Sequence, residues 1–243
     1  MKKQRLDVAL VERGLVDSRA RAQSLIMARR ILVNGRHVDK AGATIAEDDE
    51  LAVEALEHPW VGRGGMKLAH ALTELGIDVT GRTCADVGAS TGGFTDVLLK
   101  SGAARVYAID VGYGQLDHSL RNDPRVVNRE KVNARYLTAA DFDEPVGFVS
   151  IDVSFISLTY ILPAVAKFLR GELVALIKPQ FEVGKADVGK GGIVRDEAKR
   201  AAAVQKVVAF ARELGFDVRG VIESPIKGAE GNVEYLMWAI SPT

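Results

Sequence analysis

The 243-residue chain balances 32 Lys and Arg against 32 Asp and Glu, with 47% hydrophobic and 26% charged residues, a composition that excludes intrinsic disorder and fits one large domain or a large and a small one. One cysteine, Cys84, and four histidines at unrelated spacings exclude an internal disulfide and a metal cluster built on them, so a metal-free protein is expected. Asp7, Glu12 and Arg13 interrupt the apolar core a secretory signal needs, and no apolar run reaches the roughly 18 residues of a membrane span; a cytoplasmic protein is expected.

Charge is uneven along the chain. Residues 1–40 hold ten basic and four acidic side chains, a net +6, whereas residues 41–60 hold six acids and no Lys or Arg. Leu6, Val8, Ala9, Leu10 and Val11 repeat at helical spacing until Gly14, and Asp17-Ser18 starts a second helix running through Ala28. Ile31–Val33 and Arg36–Val38 flank Asn34-Gly35, a pair suited to a two-residue hairpin turn. These pieces, RLDVALVERGLVDSRARAQSLIMARRILVNGRHV and a later strand at Ala52-Val53, resemble the small RNA-binding domain of ribosomal protein S-four. The resemblance implies that Lys3, Arg5, Arg19, Arg21, Arg29 and Arg30 meet RNA, with phosphates as the partners of such cations. Arg63, in the glycine-rich stretch further on, joins this RNA-binding set.

The remainder alternates strands and helices. Strands are expected at Thr83–Val87, Arg105–Asp110, Arg125–Asn128, Gly147–Asp152, Leu173–Lys178, Phe216–Ile222 and Val233–Ile240, with the clearest helices at Gly93–Ser101, Leu158–Leu169 and Asp196–Leu214. Such alternation predicts a mostly parallel sheet whose ligands sit beyond the carboxyl ends of its strands. Pro59, Gly62, Gly64 and Gly65 mark a boundary. The expected division is an RNA-binding domain over 1–56, a linker over 57–64 and a second domain over 65–243.

The first of these strands runs into Asp86-Val87-Gly88-Ala89-Ser90-Thr91-Gly92-Gly93-Phe94, where glycines let backbone approach a ligand at a helix start. Ser90 departs from the dinucleotide fingerprint. The second strand ends in Asp110, positioned to accept ribose hydroxyls, and Asn133 comes after the third. Gly88, Ser90, Gly92, Gly93, Phe94, Asp110 and Asn133 together read as an S-adenosylmethionine site. For the acceptor side the candidates are Lys67, Asp152, Lys178 and Glu234, three of them at strand ends. A lysine among them acts as a base if a neighbouring cation such as Lys67 or partial burial depresses its pKa; if it stays charged, it stabilises a developing alkoxide. Asp152 and Glu234 are both expected to act on Lys178.

In order and setting, these four match the Lys-Asp-Lys-Glu tetrad of FtsJ/RrmJ-type RNA ribose 2′-O-methyltransferases. WVGRGGMKL, DVGASTGGFTDVLL, DVGYGQL, SLRNDPRVV, SFISL, LIKPQFEVGK and GNVEYL resemble the TlyA (haemolysin A) family. The resemblance implies an α/β protein: a Rossmann-like, seven-stranded S-adenosylmethionine-dependent methyltransferase domain preceded by a small α+β RNA-binding domain. It also implies 2′-O-methylation of cytidine in ribosomal RNA of the small subunit, the large subunit or both, with ribosomal subunits as partners and no membrane. Two rival readings are a noncatalytic ribosome-assembly factor and a membrane-lytic haemolysin. The loop from Gln180 through Lys185 to Gly192 offers Phe181 either to a substrate base or to its own packing, and Trp60 reads as a hydrophobic plug at the domain boundary.

Overall fold

All seven expected strands of the α/β region form, each within four residues of its expected ends. The computed structural model describes every residue except 1, 2, 17, 28, 41, 55–57, 185, 186, 229, 230 and 243, and the side chains of residues 20 and 24. Asp17, Ala28, Lys185 and the expected domain boundary at residues 56 and 57 lie outside the described residues.

The chain divides into two units, Met1–Pro59 and Trp60–Thr243. In the first, β1 (Gln4–Arg5) leads into α1 (Leu6–Glu12) and α2 (Arg19–Met27), and then come β2 (Ile31–Val33), β3 (Arg36–Val38), β4 (Thr44–Ile45) and β5 (Leu51–Val53). The β2–β3 hairpin closes through Asn34 and Gly35, both at positive φ (50° and 74°), as the turn requires. Leu6, Ala9, Leu10, Ala22, Ile26 and Ile31 are completely buried. Among them sits the carboxylate of Asp7, which accepts hydrogen bonds from Arg5 (2.9 Å), Gln23 (2.7 Å) and Arg19 (3.2 Å).

The second unit corrects the expected linker. Residues 60–64 are packed into this unit: Val61 N–H donates to the buried Asp96 at 2.9 Å, Gly65 N–H donates to the Gly62 carbonyl at 3.0 Å, and a Cβ on Gly65 would lie 2.6 Å from Trp60. The glycines here make packed turns instead of a tether. The unit continues with α3 (Gly65–Glu74), β6 (Thr83–Val87), α4 (Gly93–Lys100), β7 (Arg105–Ile109), α5 (His118–Arg121), β8 (Val126–Arg129), β9 (Val146–Ile151), α6 (Leu162–Phe168), β10 (Leu169–Ile177), α7 (Pro179–Glu182), α8 (Glu197–Glu213), β11 (Asp217–Glu223) and β12 (Tyr235–Ile240). The helix expected over Leu158–Leu169 is split into a short 3-10 turn, Leu158–Tyr160, and α6, which starts with Pro163 in its first turn.

These strands form one sheet in the order β11-β12-β10-β9-β6-β7-β8, parallel except for β12, which runs against both neighbours. Every residue of β6 is buried, as befits a central strand covered on both faces. The direction of winding reverses where β6 lies between β7 and β9, the place where such sheets open a crevice. Register aligns the site. Val87 pairs with Ile109 on one side and Ile151 on the other, so Gly88, Asp110 and Asp152 come next on all three strands. Ile177 pairs with Tyr235, which brings Lys178 level with Glu234.

Candidate active site

The loop after β6 fits its place only because of glycine. Gly88 has φ +89°, and a Cβ there would lie 2.3 Å from the Asp152 carbonyl. Ser90 also takes a left-handed conformation (φ 48°), and its N–H donates to Asp110 Oδ2 at 2.8 Å while Gly112 N–H donates to Oδ1 at 2.7 Å. The two amides fix the Asp110 carboxylate, and each oxygen keeps a lone pair for a further donor. Asp110 borders a cleft of about 910 Å³, together with Gly88, Ser90, Asn133 and the apolar side chains of Val132 and Ile156. A fixed carboxylate for a vicinal diol, an apolar slot for a flat ring and a close-approaching backbone suit an adenosyl group. Part of Asn133 is already engaged, its Oδ1 accepting from Arg135 N–H at 3.1 Å.

Lys67, Asp152, Lys178 and Glu234 line a second cavity of about 490 Å³, which shares Gly88, Ser90, Asp152, Ser154, Phe155, Gln180 and Phe181 with the first. The four side chains form two pairs. Lys67 Nζ donates to Glu234 Oε2 at 2.6 Å, with the lysine side chain 10% and the glutamate 2% exposed. Lys178 Nζ lies 2.6 Å from Asp152 Oδ1, with 11% and 21% of these side chains exposed. This second contact is a close ion pair without hydrogen-bond alignment; the hydrogen bond from Lys178 goes to Ser154 Oγ at 2.8 Å. The expectation that both acids act on Lys178 is therefore corrected: Glu234, though level with Lys178 in register, is bonded to Lys67 from α3.

Both cavities are bordered by an aromatic lip. Phe155, 92% exposed and held at φ +63°, faces Phe181 with ring centroids 5.2 Å apart. The segments bearing them are clasped from behind by the buried Glu182, whose carboxylate accepts from Ser157 Oγ (2.6 Å) and Leu158 N–H (2.8 Å). Burial pushes the Glu182 pKa up. Asp86, under the glycine loop, is pushed up to about 7 by burial, against the pull of hydrogen bonds from Thr95 (2.7 Å) and Ser150 (3.0 Å).

The other expected site residues are spread more widely. Gly93 and the buried Phe94 line the smaller cavity and not the larger, and Gly92 lines neither; a Cβ on Gly92 would strike Leu120 at 2.2 Å. Arg63 is exposed at the smaller cavity. In the first unit Lys3, Arg5, Arg19 and Arg29 are exposed and Arg21 and Arg30 half-buried. Arg5 and Arg19 share Asp7, and Arg30 lies 3.6 Å from Glu54, so these three are partnered cations. Trp60 is half-buried, with Lys100 Nζ 5.2 Å from its ring centroid. Sequence reasoning misses Ser154, Phe155 and Gln180 as site residues; the sequence signal for Phe155 is an aromatic three residues after the acid that closes a strand.

A mostly parallel seven-stranded sheet, with a glycine loop after its first strand and a fixed carboxylate after its second, defines a Rossmann-like methyltransferase domain. The family model of FtsJ-like methyltransferases matches residues 60–240, and that of the S4 domain matches residues 4–51. The chain belongs to the FtsJ-like methyltransferase family and carries an S4 domain in front. It is 48% identical to the 16S/23S rRNA (cytidine-2′-O)-methyltransferase TlyA of Mycobacterium tuberculosis, over 98% of this chain and 90% of that protein. It is 44% identical to Hemolysin A of Brachyspira hyodysenteriae, over 96% and 98% of the two. A solved Streptococcus thermophilus chain described as a candidate hemolysin superposes with a TM-score of 0.77 at 44% identity, covering 100% of this chain and 90% of that one. Among the described residues no helix is long and apolar enough to cross a membrane.

Proposed function

We propose that this protein is an S-adenosylmethionine-dependent methyltransferase acting on the ribose 2′-hydroxyl of cytidine in ribosomal RNA, in the cytoplasm, with ribosomal subunits as substrate. One observation carries the reading: the cleft bordered by Asp110 and the cavity bordered by the two lysine–carboxylate pairs meet along a common wall that includes Asp152. A nucleoside-shaped site and a site of paired charges thus face each other. The relatives named as cytidine methyltransferases support the substrate.

The bound cofactor would supply a methyl group already activated by a positively charged sulfur. Asp110, Asn133 and the loop from Gly88 to Ser90 would hold its adenosyl portion. What the chain must add is alignment of the acceptor and management of its proton. Lys178 would direct its ammonium at the 2′-oxygen and stabilise the charge that develops there as the methyl leaves sulfur for that oxygen and the hydroxyl proton is released to solvent. Asp152 and Ser154 hold Lys178 in position, and Lys67 with Glu234 braces the opposite side. Phe155 and Phe181 offer an aromatic face to an unpaired base, the usual way proteins hold single-stranded RNA. In the first unit, exposed Lys3, Arg5, Arg19 and Arg29 give phosphate contacts that fix register without reading sequence.

Mapping ribose methylation on ribosomal RNA from cells with and without the gene tests this reading. The expected result is at least one cytidine mark that disappears with the gene and returns when purified protein and S-adenosylmethionine are added to unmodified subunits. Purified protein that binds subunits and transfers no methyl group would favour an assembly factor, and leakage of liposomes without methylation would favour the lytic reading.

A further inference from the structure

A buried amide carbonyl next to a ligand cavity is a specific demand for a donor. Gln180 sits in α7, two residues after Lys178 and one before Phe181, and lines both the cleft and the cavity. Its Oε1 is buried and accepts no hydrogen bond from any described group. Buried polar atoms are almost always paired, because an orphan loses its water without compensation. The backbone around it leaves little slack. Phe181 N–H donates to the Lys178 carbonyl at 2.9 Å, Val183 N–H to the Pro179 carbonyl at 3.0 Å, and Lys206 Nζ to the Glu182 carbonyl at 2.7 Å. The carboxylate of Glu182 ties the same turn to Ser157 and Leu158. The backbone that carries this acceptor is thus fixed, and Gln180 lines the smaller cavity together with Phe155, Phe181 and Lys178.

We propose that Gln180 is a specificity-determining residue that accepts a hydrogen bond from the exocyclic 4-amino group of the target cytosine. The proposal rests on the cytidine 2′-O-methylation reading and deepens it. A base lying on the aromatic lip turns its edge toward a neighbouring polar group, and the 4-amino group is the donor that distinguishes cytosine from uracil, whose 4-position is an acceptor. A uracil oxygen there would meet another lone-pair-bearing oxygen. A pyrimidin-2-one, lacking the amino group, would leave Oε1 unpaired. Gln180 also borders the larger cleft with Asp110 and Asn133, so the methyl donor is the competing source of a donor, which the KM for S-adenosylmethionine reads separately.

The test compares methyl transfer to ribosomal RNA carrying cytidine, uridine or pyrimidin-2-one riboside at the mapped target, the last installed by ligation of a synthetic fragment. The wild-type protein should prefer cytidine over the pyrimidinone by about tenfold to a hundredfold in kcat/KM. In Gln180→Ala that ratio should fall to near one, mainly through slower transfer to cytidine, while Gln180→Glu, which keeps an acceptor, should keep the preference for cytidine over uridine. A wild-type ratio near one, or a Gln180→Ala ratio equal to that of wild type, would overturn the proposal. So would a Gln180→Ala variant whose only defect is a raised KM for S-adenosylmethionine. No transfer by wild type to any of the three would instead sink the methyltransfer reading, and this proposal with it.

Discussion

The two lysine–carboxylate pairs of the site have the same chemistry and the same 2.6 Å separation, yet they are built differently. Lys67 and Glu234 are nearly sealed and joined by an aligned hydrogen bond across 167 residues of sequence. Lys178 and Asp152 touch without alignment, and Lys178 spends its hydrogen bond on Ser154 at the seam of the two cavities. Removing one partner of a satisfied buried pair strands the other as an uncompensated charge, and that is felt as lost stability. A pair with spare donor capacity facing a cavity is where a substrate oxygen can be accommodated.

Lys178→Ala should show the largest effect. Methyl transfer is expected to fall by about 10²- to 10⁴-fold, with a smaller loss in urea midpoint than Lys67→Ala causes because Asp152 keeps 21% of its side chain exposed, and a variant within tenfold of wild type would erase the contrast between the pairs. Lys67→Ala should behave oppositely at the level of folding. It strands Glu234 as a buried charge, which costs about 3–5 kcal/mol, and adding Glu234→Gln should recover part of that loss; equilibrium unfolding of the three proteins decides it. If Lys67→Ala unfolds like wild type, the assignment of this pair as a brace is wrong.

A smaller effect tests how far the field of the outer pair reaches. The charge of Asp152 adds to the burial that pushes Asp86 up to about 7. A carboxyl whose pKa is raised in the folded state binds its proton more tightly folded than unfolded, so the contribution of Asp86 to stability is greatest in acid and is lost as pH rises from about 4 to about 7. Asp86→Asn should flatten the fall in urea midpoint over that window, removing a pH dependence on the order of a few kcal/mol. Asp152→Asn should flatten it less. An unchanged slope in Asp86→Asn would mean that Asp86 is not the group titrating. The smallest change, away from both pairs, is Arg19→Ala with Arg29→Ala. The salt dependence of RNA binding should lose about one unit of log–log slope for each phosphate contact removed, while transfer at saturating RNA stays near wild type.

Much of the fold is legible in the chain itself. Asn34-Gly35 dictates its hairpin because few pairs tolerate two positive φ angles, and the apolar runs of β6, β7, β9 and β10 mark those strands because buried parallel strands leave a dense apolar signature. The residues that close strands, Asp110, Asp152 and Lys178, can be read as rim residues for the same reason. Partnership cannot be read. Which acid holds which lysine depends on how α3 approaches the start of β12, a contact without local pattern. The arginines of the first unit look like free cations in the sequence, yet Asp7, buried in the first turn of α1, ties down two of them. Its pKa is held well below the usual carboxylate range, the hydrogen bond from Arg5 outweighing burial. Phe155 stays hidden because its exposure comes from a left-handed turn at an aromatic residue, which no propensity suggests.

The reversed strand β12 has one more consequence. Because it runs against its neighbours, Glu234 meets the reactive edge from the opposite direction, and it does so after every other member of the cluster has been translated. A nascent or truncated chain that stops short of residue 234 has Lys67, Asp152 and Lys178 but no counter-charge to seat the first of them. The cluster is thereby completed only as the last strand of the sheet is added.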